Sequence, residues 1–263
     1  MKRSDTNRGG KLACSIVLMV LSIVCGCCMV MATKKKAEAG LPLCWWTFDE
    51  MAGMTAKNSG SLGSSADGLL NNMNQGSRIA GIVGAEALLF DGVDDEVTIP
   101  ALNLNTNTAA ICAWLKRQGE QAVYAGIVYS RDGDTIAGIG SGSTGKPDWK
   151  SNHELFYCWN DTEDTWAWHS GLFIPDNKWV FVALVLEPAK ATLYLGQDGK
   201  IASATNTVKH GFEEFNGATR IGNDLKPKFP PRFFKGAIDD VRIYKRALSA
   251  SEIEQLAAAA NPK

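Results

Sequence analysis

Histidine is scarce in this sequence: only His153, His169 and His210 occur in 263 residues, and they lie far apart. None of them belongs to a GxSxG or Cys-His signature of nucleophilic catalysis. His153-Glu154 begins like HExxH, but position 157 is Tyr, which excludes the zinc-protease motif. The sequence therefore contains no histidine pattern that is typical of a zinc protease or a serine or cysteine hydrolase.

Net charge is also small, with 27 basic and 28 acidic residues. Residues 1–39 contain seven of the basic and two of the acidic residues, so the remaining 20 and 26 give the body a net charge of −6. An acidic body without basic clusters binds nucleic acids poorly, so we expect no nucleic-acid partner. The segment 140–146 matches GxxxxGK, but Pro147 follows it and no helical pattern begins there. We therefore expect no nucleotide partner.

Long apolar runs are absent except for residues 12–32, which are uncharged for twenty-one residues and follow four basic residues. That length can cross a bilayer. Three interpretations remain open: a retained anchor, a signal peptide cleaved after Ala32 or Ala39, and a lipoprotein signal around Val24-Cys25-Gly26-Cys27. We favour export with membrane attachment through this segment, and hence a location in the cell envelope or outside the cell. Residues 1–39 are then the signal or anchor with its linker, and residues 40–263 are the folded domain.

Cysteine is rare outside that apolar segment, where only Cys44, Cys112 and Cys158 remain. An odd number allows at most one disulfide and leaves at least one free thiol. Cys112 lies in the apolar run AAICAWL, where a cysteine is typically a small core residue.

The body consists of short β-rich runs that are separated by turn signals. We predict strands at 43–48, 87–90, 96–99, 110–116, 123–130, 154–159, 179–186, 191–195, 201–205, 218–222 and 233–244. Between the strands of the segment 179–205, EPAK and GQDGK are turn sequences, and Asp-Gly is a strong hairpin dipeptide. These spacings predict an all-β sandwich.

The convincing helix of the body lies at its C-terminal end. Ser249 followed by Glu252 forms a capping box, and Leu248 and Ile253 occupy the positions of a hydrophobic staple. Apolar residues at 253, 256, 257 and 260 give one stripe. We therefore expect a short helix that packs one face on the sandwich.

Five blocks resemble the successive motifs of a known family: CWWTFDEMAGMTAKNSG at 44–60, ALLFDGVDDEVTI at 87–99, ICAWLK at 111–116, WVFVALVLEPAKATLYL at 179–195 and AIDDVRIYKRALSASEI at 237–253. Together they are similar to the laminin-G-like, concanavalin A-type jelly-roll domains of bacterial surface proteins, over residues 43–260. The resemblance implies an antiparallel jelly-roll sandwich of two sheets in which the first and last strands pair. It implies less about function, because this fold carries lectins, adhesion modules, glycan-binding appendages and glucanases.

The resemblance also implies a role for Asp239. The run IDDVRIY at 238–244 is similar to the last strand of laminarinase-type glucanases, where the first Asp binds a structural Ca²⁺ beside the N-terminal strand. Asp239 would then be a metal ligand, with Asp49 as the nearest N-terminal carboxylate. Because Ca²⁺ takes about six to eight oxygens, two carboxylates would form only part of a site. The alternative is that Asp239 caps backbone amides or pairs with Arg242 or another cation.

The stretch 152–171, NHELFYCWNDTEDTWAWHSG, is rich in aromatic and acidic residues. Trp166 and Trp168 are two apart and would share a face on a strand, so a hairpin with 154–159 would collect aromatics on one surface. Such a surface can stack on a sugar while amides and acids take its hydroxyls. The candidate ligand-binding residues are Trp159, Asn160, Trp166 and Trp168. The alternative is that these tryptophans belong to the core or to cross-strand pairs. We favour it for the tryptophans in general, because large aromatic side chains are mostly buried.

These observations predict an exported, non-catalytic binding module that recognises a polysaccharide or glycoprotein. The ExDxxE pattern of laminarinase-type glucanases is absent, and glycoside hydrolysis needs two carboxylates at a fixed separation. Two alternatives remain open: a structural or assembly module of the envelope, and a glycoside hydrolase whose acids converge only in space. Ca²⁺, if it binds, would order loops and take no part in chemistry.

Overall fold

Fifteen strands among the described residues form two antiparallel sheets, which confirms the all-β prediction. The computed structural model describes residues 40–142 and 153–260, and these belong to one compact unit, Ala37–Lys263. The strands are β1 (Cys44–Trp46), β2 (Thr55–Ala56), β3 (Gly68–Asn71), β4 (Arg78–Ala80), β5 (Glu86–Asp91), β6 (Glu96–Ile99), β7 (Ala109–Arg117), β8 (Ala125–Ser130), β9 (Ala137–Ser141), β10 (Leu155–Trp159), β11 (Trp179–Glu187), β12 (Lys190–Gln197), β13 (Lys200–Asn206), β14 (Thr219–Ile221) and β15 (Lys235–Tyr244). The helices are α1 (Glu163–Trp166) and α2 (Ala250–Ala257), with 3₁₀ turns at Gly63–Ala66 and Gln75–Ser77.

The two sheets stack as a sandwich around one large core. The first sheet has the order β13-β12-β11-β7-β15-β5-β4, and β1 also pairs with β15. The second has the order β10-β9-β8-β14-β6-β3-β2. On β7, Ile111, Ala113 and Leu115 join the core between the sheets, whereas Cys112 and Trp114 face the opposite side. This alternation is the period-two pattern of a strand that is covered on both faces.

The first and last strands, β1 and β15, pair as predicted. Strand β15 lies in the middle of the first sheet. Trp45 is opposite Arg242 on one side of a bulge, and Ile238 is opposite Leu88 on the other. Against β7 the register shifts between Asp239 and Arg242, and Asp240 has a left-handed φ of 50°. The bulge therefore marks the place where the outer neighbour of β15 changes from β5 to β1.

The three consecutive strands β11, β12 and β13 form the predicted meander at one end of the first sheet. Glu187 is opposite Lys190, and Gln197 is opposite Lys200, so both connections are two-residue turns. In the second turn Asp198 and Gly199 have φ values of 49° and 73°. A type I′ hairpin turn needs positive φ at both central positions, and Asp-Gly supplies it with little strain.

Helix α2 confirms the capping prediction and lies on the outer face of the first sheet. The backbone N–H of Glu252 donates to Ser249 Oγ over 3.3 Å, and the backbone N–H of Ser249 donates to Glu252 Oε2 over 2.8 Å. Ile253 and Leu256 are buried in a second apolar cluster with Trp114. The helix therefore covers the face of β7 that is turned away from the main core.

All eleven predicted strands are present, and four further strands, β2, β3, β4 and β9, were missed by the sequence analysis. Cys44, Cys112 and Cys158 are free and buried, so the one disulfide that the count allowed does not form among them. Burial raises the pKa of all three thiols. Cys112 is a core residue, as predicted.

The predicted signal or anchor at 12–32 lies outside the described residues. Among the residues that are described, no helix has the length and apolar character needed to cross a membrane.

Candidate functional site

A cavity of about 290 Å³ lies on the outer face of the second sheet. Phe156 and Cys158 of β10 point toward it and form a small cluster with Tyr129, whereas Leu155, Tyr157 and Trp159 point into the main core. The aromatic lining consists of Tyr124, Tyr129, Phe156, Trp166 and Phe229. The other lining residues are Arg131, Cys158, Asp161, Asp224, Lys226 and Arg232.

Two glycines of β9 create the floor of this cavity. A Cβ atom on Gly138 would lie 2.4 Å from the ring of Tyr129, and one on Gly140 would lie 2.7 Å from the ring of Phe156. Since β9 lies between β8 and β10, the two rings approach the middle strand from either side. The rings of Tyr129 and Phe156 can lie over β9 only because Gly138 and Gly140 have no side chains. This requirement explains why the strand is poor in β-forming residues.

The rings are arranged edge to face. The ring centroids of Tyr124 and Phe156 are 5.5 Å apart at 77°, and those of Tyr124 and Trp166 are 6.4 Å apart at 84°. Such pairs add stability beyond their buried area and hold the rings in fixed orientations. Tyr124 and Trp166 are half-buried and Phe229 is 55% exposed, so the cavity presents preformed aromatic surface to a ligand.

A buried ion cluster lies beside the rings. Asp224 is 1% exposed, and it accepts from Arg131 Nε over 2.5 Å and from Arg232 Nη1 over 2.6 Å. Burial lowers the pKa of Arg131, but the hydrogen bond and charge of Asp224 outweigh it and raise that pKa overall. The guanidinium of Arg232 also lies 4.8 Å from the Tyr124 ring centroid. The cluster therefore fixes both arginines beside the aromatic rings that line the cavity.

The rim of the cavity carries further charges. Lys226 Nζ lies 5.0 Å from the Phe229 ring centroid and 3.6 Å from Asp161 Oδ2. The Cys158 thiol donates to Asp161 Oδ1 over 3.7 Å. The cavity thus combines ring faces with a few cations and one accessible carboxylate, which is the usual composition of a small-ligand site.

Two of the predicted ligand residues have structural roles. Trp159 is 1% exposed, and its indole N–H donates to the Gly211 carbonyl over 2.9 Å. Its ring therefore has the core role that was the alternative above. Asn160 Nδ2 donates to the Phe212 carbonyl over 2.9 Å and to Glu213 Oε2 over 3.1 Å, so this amide holds a neighbouring loop.

The predicted hairpin at 154–168 is wrong, because Trp166 ends the short helix α1 and Trp168 follows it. The N-terminal acids Glu163 and Asp164 suit a helical turn. The turn separates the two rings: Trp166 lines the cavity, whereas Trp168 packs on the main core. The rings of Tyr124, Tyr129 and Phe229 lie outside the stretch 152–171, so no local pattern groups them with Trp166.

The two predicted metal ligands hold one loop. Asp239 Oδ2 accepts from the backbone N–H groups of Ile82 and Val83 over 2.8 and 3.0 Å. Asp49 Oδ1 accepts from the N–H groups of Ala85 and Glu86 over 2.6 and 3.0 Å. The two carboxylates therefore tether the connection between β4 and β5, which was the backbone-capping alternative for Asp239.

Asp239 fits a cation only in part. Its Oδ1 is buried and has no hydrogen-bond partner among the described residues, and burial raises the pKa of this carboxyl to about 7. The described residues contain one cluster of three potential metal-ligating side chains, Asp91, Asp94 and Asp95, and it includes neither Asp49 nor Asp239. One free buried oxygen suits Ca²⁺, but backbone carbonyls would have to complete the set. Arg242 pairs with Asp240, at 2.9 Å, and not with Asp239.

Comparison with solved structures gives the same architecture. Domain 4 of AbnA, a GH43 extracellular arabinanase from Geobacillus stearothermophilus in complex with arabinotriose, is 21% identical, and the match covers 84% of this chain and 100% of that one at a TM-score of 0.59. Trypanosoma rangeli sialidase in complex with the inhibitor DANA is 16% identical at a TM-score of 0.57, over 84% of this chain and 33% of that one. The chain thus corresponds to about a third of the sialidase, and at these identities the likeness shows the fold alone.

Comparison with curated proteins gives no match. The family model of the concanavalin A-like lectin/glucanases superfamily matches residues 91–254. This segment includes the strands β6–β15 and every residue that lines the cavity. Since the matched segment is more than half of the chain, the protein belongs to the concanavalin A-like lectin/glucanases superfamily.

Proposed function

We propose that the domain binds a saccharide, as a polysaccharide or as the glycan of a glycoprotein, in the aromatic cavity of the second sheet. The observation that carries the proposal is the preformed wall of Tyr124, Phe156 and Trp166, with charged groups at its edge. A sugar ring has an apolar face that stacks on an aromatic side chain and hydroxyls that bond to polar groups. The arabinanase domain, which is in complex with arabinotriose, supports a saccharide as the ligand class.

The binding is non-catalytic in this proposal. Hydrolysis of a glycosidic bond needs one carboxyl as acid and a second as base or nucleophile. Of the two carboxylates that line the cavity, Asp224 has one oxygen bound to Arg131 and the other to Arg232. Both oxygens of this carboxylate are therefore occupied by arginine donors, and neither is free to contact a glycosidic oxygen or a water. Asp161 alone does not supply the pair.

A glycan array with the full-length protein in a non-ionic detergent tests the proposal. Trp166→Ala removes a cavity ring, and we expect loss of glycan binding with only a small fall in melting temperature. Trp168→Ala is the matched control, because this half-buried ring lies outside the cavity and contacts Tyr157 at a centroid distance of 6.0 Å. Equal loss in both variants, or binding that survives Trp166→Ala, would contradict the proposed site.

Two other outcomes would favour the alternatives. If the array shows no binding and a protein partner is captured instead, the domain is an assembly module. If the protein hydrolyses a glucan and Asp161→Asn abolishes turnover, the domain is a glycoside hydrolase.

The ligand would meet the domain outside the membrane, in line with the export signal that the sequence indicates at 12–32. Calcium, in this proposal, is held by Asp239 Oδ1 with neighbouring backbone carbonyls. Its contribution would be to order the connection between β4 and β5, while the cavity binds its ligand without a metal.

A further inference from the structure

We propose that the saccharide bound in this cavity is anionic and carries carboxylate or sulfate groups; this inference rests on the proposed function. The first observation is the charge of the lining. Three cations, Arg131, Lys226 and Arg232, face two acids, Asp161 and Asp224, so the cavity has an excess of one positive charge. The body of the protein, by contrast, has a net charge of −6.

The second observation is the loop at the cavity mouth, residues 225–232. It carries Lys226, Lys228 and Arg232 and no acid. Lys228 is exposed, and Lys226 and Arg232 are partly exposed. Phe229 lies among them and is 55% exposed. A cationic loop around an aromatic ring offers stacking and charge neutralisation to the same ligand.

The third observation is that Arg131 and Arg232 each keep hydrogen-bond donors that Asp224 does not occupy. Asp224 accepts from Nε of Arg131 and from Nη1 of Arg232. A guanidinium has five N–H donors, and no described residue accepts from the other nitrogens of these two side chains. Asp224 therefore orients both guanidinium groups while donors remain for an oxyanion, which arginine binds through paired hydrogen bonds.

Asp161 limits this charge but does not cancel it. It is the accessible acid of the lining and lies 3.6 Å from Lys226 Nζ. Among the described residues no acid pairs with Lys228, whereas Arg232 is paired with Asp224 at 2.6 Å. An anionic group would therefore be attracted to the rim, and its sugar ring would extend over the aromatic wall.

The test uses isothermal titration of the full-length protein, in a non-ionic detergent, with polygalacturonate and with its methyl ester. The two polymers have the same sugar but differ in charge. Sulfated and unsulfated galactans form a second pair, which separates sulfate from carboxylate as the preferred group. We expect binding to an acidic polymer that weakens as salt rises from about 0.05 M to about 0.5 M.

Lys226→Gln combined with Lys228→Gln should weaken binding of the acidic polymer roughly tenfold. Lys200→Gln combined with Lys209→Gln is the matched control, because both lysines are exposed and lie outside the cavity. Equal binding of charged and neutral polymers, or equal loss in the two double variants, would overturn the anionic ligand while leaving the saccharide site intact. No binding to any of these polymers would overturn the inference, and the glycan array decides separately whether the proposed saccharide site stands.

Discussion

The buried carboxyl of Asp239 should make the stability of the domain depend on pH, and Asp239→Asn should remove that contribution. Asp239 is 0% exposed, and burial raises its pKa from 3.8 to about 7. The folded state therefore holds this proton more tightly than the unfolded state does. The contribution is fully present below about pH 4 and is lost as the pH rises toward 7.

The size of the effect follows from the pKa shift. Each unit corresponds to about 1.4 kcal/mol, so a rise from 3.8 to about 7 costs the ionised folded state about 4 kcal/mol at pH 8. For a domain of this size, about 1 kcal/mol corresponds to a change of about 2–4 °C in melting temperature. Asn keeps an oxygen that can accept from Ile82 and Val83, and it has no proton to lose.

The assay is urea unfolding of the wild type and Asp239→Asn from pH 4 to 8 in a calcium chelator. The quantity of interest is the difference in free energy of unfolding between the two proteins. Burial also raises the pKa of Glu213 from 4.5 to about 7, but Glu213 is present in both proteins, so its contribution cancels. Glu213→Gln, measured alone, should show a second contribution with the same sign.

The wild type should lose stability relative to Asp239→Asn between pH 4 and 8. A difference that stays constant with pH, or that changes in the other direction, would refute the reasoning. Calcium added at pH 8 should stabilise the wild type and not Asp239→Asn, because the ion would neutralise the free Oδ1 of Asp239. If calcium stabilises neither protein, Asp239 is a backbone tether and the calcium proposal fails.

Three further predictions concern an ion cluster, a helix cap and a core ring. Asp224→Ala should remove the counter-charge of the buried Arg131 and of the partly exposed Arg232 and cost about 3–5 kcal/mol, measured as a lower urea midpoint; an unchanged midpoint would argue against a buried ion cluster. Ser249→Ala should cost about 1 kcal/mol in thermal unfolding through loss of the α2 cap, with Ser251→Ala as the control inside the helix. Trp159→Ala should cost about 3–5 kcal/mol, whereas Trp166→Ala at the cavity edge should cost much less; equal effects would contradict their different burial.

Strand prediction succeeded where large apolar side chains are dense and failed where side chains are missing. The runs at 179–186 and 110–116 are rich in large apolar residues, and both are long central strands. Strand β9, with the sequence AGIGS, was missed because glycine is rare in strands. Its glycines are explained only by the rings of Tyr129 and Phe156, which come from neighbouring strands.

The candidate site was predicted only in part for a similar reason. The strand at 154–159 was predicted, but a period of two does not say which face meets the core. The structure turns Tyr157 and Trp159 inward and Phe156 outward. Trp166 was the one predicted ring that lines the cavity, and its partners Tyr124 and Phe229 are distant in sequence.

The sequence by itself determined the elements whose causes are local: the strand runs, the Asp-Gly hairpin, and the capped helix that begins after Ser249. These depend on neighbours a few residues apart, so their pattern is visible along the chain. Only the tertiary structure decided that Asp239 and Asp49 hold one loop and that Asp224 joins two arginines beside an aromatic wall. The physical reason is that burial and charge pairing depend on which strands become neighbours, and that arrangement is fixed by the packing of the whole sandwich.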